Sequence, residues 1–357
     1  MSFARREFLT ASLASAAALA TGSTLAATTA AADDPFGLKR DWNGRPAIVM
    51  PDPAWEVHDA AFKGRLGNAM VERLWSGGRW TEGPVWMADW RCLLFSDIPT
   101  ARVLRWTEDD GRVTVFNAQS NNANGHTRDR QGRLISCEHD TRRVTRLEYD
   151  GSTTVLLDTF QGKKLNAPND AVVSSDGAVW FTDPGYGILG AYEGHKAEFE
   201  LPTNVYRIDP NTGDARVVTG DFQRPNGIAL SPDEKRLYVS DTAGGGEAGK
   251  PLHLRVFNIG ENGSLSNGRV LIDAKEGGVI DGFRCDSEGN LWCSWAGDAL
   301  QNSVRVFSPE GKPLATLHLP ETVSNVEFGG AKGNRLFITG GQSLYATYVN
   351  AVGAPRR

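Results

Sequence analysis

The chain is poor in cysteine and methionine, with four of each, and its body has no apolar run of about 20 residues. Cys92, Cys137, Cys285 and Cys293 form neither a C-x-x-C pair nor a zinc-ligand spacing, so structural zinc is excluded. Cys285 and Cys293 flank a hairpin turn and could pair in an oxidising compartment. The favoured reading for all four is a small hydrophobe on a strand. Without a long apolar run there is no membrane-spanning helix. Basic blocks are missing too and the net charge is -5, so neither nucleic acid nor a membrane surface is an expected partner. G-x-S-x-G and H-E-x-x-H are absent, which removes support for serine-hydrolase and zincin chemistry. Gly185 to Gly190 matches G-x-G-x-x-G but lies outside any βαβ unit, so it is no dinucleotide site.

Glycine is abundant, with 40 in 357 residues, and implies many tight turns and few long helices. The first 32 residues stand apart. Arg5-Arg6, Phe8-Leu9, an Ala/Leu-rich stretch and Ala30-x-Ala32 resemble a twin-arginine export signal, which would make the mature protein periplasmic. Residues 33–69 have no sustained period and are expected to wrap the body, leaving 70–357 as the main domain.

A six-fold repeat decides the fold. Its copies begin EGPVWMADWRCLLFSD, NGHTRDRQGRLISCE, NDAVVSSDGAVWFTD, NGIALSPDEKRLYVSD, DGFRCDSEGNLWCSW and NVEFGGAKGNRLFITG. Each reads as a hairpin that turns at a polar or Gly pair and usually closes on Ser/Thr and an acid, with further short strands behind it. The spacing predicts an all-β, six-bladed β-propeller with an axial metal site. The last copy lacks an outer strand, which Val71 to Trp75 would supply.

A hairpin ends on the face where it began, so the repeat starts gather at one mouth of the channel. These are Glu82, Asn124, Asn169, Asn226, Asp281 and Asn325, with Asp97, Glu138, Asp183 and Asp241 close by. Two carboxylates with several amide oxygens suit a hard cation, Ca²⁺ before any other divalent ion, with Glu82 and Asp281 balancing its charge. Asn226 and Asn169 would add neutral oxygens. Asn124, His126 and Asp183 would face a substrate, although a framework role is the favoured one for His126. Insertions at 184–203 and 242–251 follow Asp183 and Asp241 directly and would lie over this mouth as a lid.

EGPVW, LNAPNDAVV, FTDPGYG, RPNGIALSPD and IDGFRCDSEGNLW resemble the gluconolactonase/regucalcin-like family of six-bladed propellers, from about Val71 to the C-terminus. The resemblance implies Ca²⁺ on Glu82, Asn226 and Asp281, with Asn169 touching metal or substrate. It also implies a carboxylic ester (lactone) hydrolase for a small-molecule sugar lactone, with Asp281 accepting a proton. Asp183 and Asp241 are further base candidates. The animal sugar-lactonase branch has Arg two residues before the Asn of PND, where this chain has Ala167, so that branch's substrate recognition is not carried over. A phosphotriesterase and a non-catalytic binding propeller are the alternative readings.

Overall fold

Apolar-aromatic runs of five to seven residues, each cut by a Gly or Asp turn, are too short for stable helices. In the computed structural model they form antiparallel strands, and helical structure among the described residues is limited to 3-10 turns of three to six residues. The structure describes residues 52–355, apart from 246–248, 275–277 and 299. The segment 1–32, expected to be an export signal, and the first part of the extension lie outside the described residues.

Six sheets of four or five strands follow one another along the chain, with a two-stranded ribbon, Thr159–Phe160 against Lys163–Lys164, between the second and third. Their innermost strands are Thr81–Met87, Ala123–Arg128, Ala171–Val173, Pro225–Leu230, Phe283–Cys285 and Val323–Gly329. Each of these touches the next and the last touches the first, which closes a ring of six blades around a channel. Closure is also hydrogen-bonded. Glu72–Ser76, ahead of blade 1, pairs with Ser343–Tyr348 of blade 6, with Glu72 opposite Ala346. The first and last blades thus cannot part without breaking a sheet.

The extension does more than wrap. Trp55–Val57 adds a fifth strand to blade 5, with Trp55 opposite Leu317. It covers an edge that would otherwise be open for pairing. Trp55 and Phe62 also pack on the buried Trp292, with ring centroids 6.2 and 5.8 Å apart. Apolar clusters fill the spaces within and between blades; Trp86 of blade 1 stacks on Phe337 of blade 6 at 5.6 Å. All four cysteines are free and buried, and Cys293 stands opposite Phe283 rather than Cys285.

Candidate active site

The Ser/Thr-acid ending of the repeat has a structural reason. Ser96, Thr182 and Ser240 each donate a hydroxyl hydrogen bond to the backbone carbonyl of a mouth residue in the next blade. The acceptors are Asn124, Asn226 and Asp281, at 2.8, 2.7 and 3.2 Å. The acid after the hydroxyl grips the chain entering its own blade. Asp97 accepts from the Arg79 and Trp80 amides at 2.8 and 3.3 Å. Asp183 accepts from Asn166 and Ala167 at 2.8 and 2.7 Å. Asp241 accepts from Gln223 and Arg224 at 2.8 and 3.0 Å.

The glycine after a mouth residue lets the blades meet. A Cβ on Gly83 would lie 2.0 Å from the Asn124 carbonyl oxygen, and one on Gly227 would lie 2.2 Å from that of Asp281. Any side chain there would push two blades apart. Register shifts at Glu82/Val85, Ala123/His126, Pro225/Ile228 and Val323/Asn325 fall at the same height in four blades. Bulges of this kind re-aim the side chains beside them. In blades 3 and 5, Asn169 and Asp281 instead stand just ahead of shortened innermost strands.

The repeat starts therefore converge on one mouth. Glu82 is 2% exposed, and its Oε2 accepts from the Gly83 amide at 2.6 Å and the Asn325 amide group at 3.0 Å. Burial pushes its carboxyl up to about 7 against those two donors, with the charges of Asp170 and Glu193 adding to the rise. Asp281 is raised well above the ordinary aspartate range, first by burial and then by Glu82, Glu193 and Asp170. The Glu82 carboxyl stands beside that of Asp281, and its like charge adds to the rise. Asn226 is buried; its Nδ2 donates to Thr242 Oγ1 at 3.2 Å and its Oδ1 has no protein partner. Asn169 and Asn124 are buried in the same ring.

The structure redirects one expected substrate contact, Asp183, and gives His126 the framework role favoured for it. Asp183 spends both carboxylate oxygens on backbone amides and is fully buried, so it is a clamp and not a group for substrate or water. Asp241 is held in the same way, which removes it as a base. His126 is fully buried between two serines, with Nε2 2.8 Å from Ser96 Oγ and Nδ1 2.9 Å from Ser136 Oγ. No ring nitrogen remains for a substrate, and burial pushes its pKa down to about 4.

The insertion at 184–203 does reach across the mouth, as expected. Tyr192 donates from its hydroxyl to the Arg79 carbonyl of the chain entering blade 1, at 3.3 Å. Beneath it, His139 Nδ1 meets the Glu193 carbonyl at 3.2 Å, and Nε2 lies 3.4 Å from Asn124 Nδ2. Tyr186 Oη lies 2.5 Å from Thr242 Oγ1, joining this insertion to the start of the second one. Glu193 is a site residue that sequence reasoning missed. Its carboxyl, raised to about 7 by burial, acts on both Glu82 and Asp281. It lies in a non-periodic insertion, where no register argument applies.

Among the described residues no group of three His, Cys, Asp or Glu side chains is placed to hold a metal. The mouth has instead two facing carboxyls and an unpartnered amide oxygen. Two like acids side by side, Glu82 buried and Asp281 half-buried, are costly without a counter-charge, and an orphaned buried oxygen calls for a partner. Both features fit a hard, oxygen-seeking divalent cation. Neither thiolate nor paired imidazole is present to favour a softer one.

Comparison with known proteins agrees with this geometry. The family model described as "SMP-30/Gluconolactonase/LRE-like region" matches residues 80–342. A gluconolactonase of Zymomonas mobilis is 32% identical over 298 residues, covering 77% of this chain and 80% of its own. A pentonolactonase of Haloferax volcanii is 26% identical over 264 residues, covering 72% of this chain and 80% of its own. The solved structure of a gluconolactonase from Xanthomonas campestris superposes with a TM-score of 0.75 at 37% identity, covering 83% of this chain and 94% of that one.

Proposed function

The chain belongs to the SMP-30/gluconolactonase/LRE-like family, and from that premise we propose that it opens a sugar lactone with the help of a hard divalent cation, Ca²⁺ first. The observation that carries this reading is the Glu82–Asp281 carboxyl pair beside the unpartnered Oδ1 of Asn226. Glu82, Asn226 and Asp281 would hold the cation, with Asn169 at its side. When bound, it supplies a Lewis acid for the lactone carbonyl.

The remaining steps belong to the chain's own residues. Asp281 takes the proton of the attacking water and returns it to the ring oxygen as the ester bond breaks. Asn124 and Asn169 offer amide groups to the sugar hydroxyls. The 184–203 insertion keeps bulk water from the mouth, which strengthens electrostatic contacts inside. Gluconolactonase and pentonolactonase relatives support an aldonolactone as the substrate class. We also propose that the Arg5-Arg6 segment exports the protein to the periplasm; fractionation of cells expressing an Arg5→Lys/Arg6→Lys variant tests this.

The hydrolysis test uses purified mature protein, chelated and then reloaded with Ca²⁺, on glucono-1,5-lactone. Reloading is expected to restore most of the rate, and equal rates before and after would sink the metal mechanism. A parallel assay on a fluorophosphate ester separates lactonase from phosphotriesterase chemistry.

A further inference from the structure

Below the mouth lies a second tier of charge that the reaction above does not use. Arg284 Nε donates to Glu327 Oε2 at 3.0 Å, and Nη1 donates to Asp170 Oδ2 at 3.3 Å. The three side chains are only 13%, 3% and 2% exposed. Arg284 comes from blade 5, Glu327 from blade 6, and Asp170 stands at the head of blade 3. Blade 4 separates blades 3 and 5 in the ring, so the Arg284–Asp170 contact crosses the channel.

Stability alone does not account for this cation. Burial works against the charge of Arg284, and the Asp170 and Glu327 carboxylates more than offset it, holding the guanidinium above its usual range. Its Nη2 is nonetheless buried without a partner. Apolar side chains of similar volume in place of a buried triad are commonly neutral or stabilising. What Arg284 supplies is the position of a charge.

That charge matters because of Asp170. It follows Asn169 directly, is 1% exposed, and bears on both Glu82 and Asp281. A free Asp170 would be a third carboxylate for a cation at the mouth. Affinity for a hard divalent cation rises with the number of charged ligands. A third anion would also overcompensate a double charge and weaken its pull on a carbonyl oxygen.

We infer that Arg284 is a built-in counter-cation that withholds Asp170 from the divalent cation and so limits the site to two carboxylates. It is a positioning residue that acts through Asp170. The inference rests on the metal reading of the mouth given above.

Calorimetric titration of the chelated mature protein with Ca²⁺ tests it. Arg284→Met/Glu327→Met removes the guanidinium together with the second carboxylate it pairs with, and leaves Asp170 with the Ala171 amide on Oδ1 at 2.9 Å and no cation. This variant is expected to bind Ca²⁺ about 10-fold more tightly than wild type at the same stoichiometry, with a lower kcat. Adding Asp170→Asn is expected to bring Kd back near the wild-type value. Unchanged or weaker binding by the folded double variant overturns the inference while leaving the metal reading intact. A wild-type protein that binds no divalent cation overturns both. If the double variant does not fold, Arg284→Lys decides: the single ammonium releases part of its grip, Kd is expected to fall several-fold, and an unchanged Kd overturns the inference.

Discussion

Two sets of acids stand at the same mouth and come from the same repeat, yet they do opposite work. Asp97, Asp183 and Asp241 close their hairpins and accept from backbone amides, Asp183 and Asp241 with both carboxylate oxygens and Asp97 with Oδ1, its Oδ2 taking Thr100 and Arg102. Glu82 and Asp281 open theirs and stand beside each other as like acids, with no cationic partner among the described residues. The residue type is the same and the height in the channel is similar. What differs is how many fixed donors the backbone offers each carboxyl. A satisfied buried acid holds the frame together, and a poorly satisfied one keeps ligand capacity in reserve.

The sharpest way to break this comparison is to neutralise one acid of each set. Asp281→Asn is expected to lower kcat/KM by about 10³-fold, since it removes a cation ligand and the proton acceptor together. Its Tm is expected to stay level or rise, because a buried acid pair without a counter-charge adds no stability. Steady-state kinetics with thermal unfolding of the same sample checks both. A variant that keeps its activity, or that loses it only by unfolding, would place Asp281 among the clamps.

Asp183→Ala should do the reverse. It leaves the Asn166 and Ala167 amides buried and unpaired, at a cost of about 2–4 kcal/mol in unfolding free energy. Activity per folded molecule is expected to fall much less than in Asp281→Asn, because the clamp sits on the chain leading to Asn169 and not on the reacting atoms. Chemical denaturation gives the first quantity, and active-site-normalised rates give the second.

The two sets also differ in how far they could be read before the structure. Repeat period, blade number and the closure strand, expected at Val71 to Trp75 and found at Glu72–Ser76, followed from strand patterning, because short apolar strands with Gly-marked turns constrain the fold wherever they recur. Convergence of Glu82, Asn169, Asn226 and Asp281 followed from hairpin register. The division of labour did not follow, since it depends on which backbone amides point at which carboxylate. That is set by the loops entering each blade, and Asn166-Ala167 has no more pattern than any other loop. For His126 the favoured framework role agrees with its two serine partners, while counting two residues from Asn124 to a substrate-facing position assumes a regular strand, and the register shifts between Ala123 and His126.

His126 gives the comparison a pH axis. Ser96 donates its hydroxyl to the Asn124 carbonyl, so the imidazole Nε2 donates to Ser96 and Nδ1 accepts from Ser136. That pattern requires the neutral ring. With its folded pKa depressed to about 4, the contribution of His126 is whole above its unfolded value of about 6.5 and is lost as pH falls from there toward about 4. The loss amounts to about 3 kcal/mol at most. His139, also depressed to about 4 by burial, adds to the same slope. The raised carboxyls of Glu82 and Glu193 give the opposite slope in this window, so the test is the difference between wild type and His126→Gln. The slope of unfolding free energy from pH 7.5 to 4 is expected to turn less downward with falling pH in the variant. An unchanged slope would mean that the ring already carries its proton in the folded state.

Glu193 stands between the two sets and allows the finest test. It is carried by the insertion, not by a hairpin, and its backbone carbonyl, not its carboxylate, makes the 3.2 Å contact with His139. Its charge reaches Glu82 and Asp281 through space. A through-space term of this kind is worth about 1 kcal/mol at the effective dielectric of a partly solvated cleft. Glu193→Gln is therefore expected to weaken Ca²⁺ binding several-fold with Tm unchanged, and the difference from wild type should shrink as salt is raised, because exposed charge is screened. Direct ligation predicts something else: a loss above about 100-fold that salt hardly alters. The salt dependence of the Glu193→Gln difference thus decides whether the insertion only tunes the two ring acids or supplies a third one to the cation.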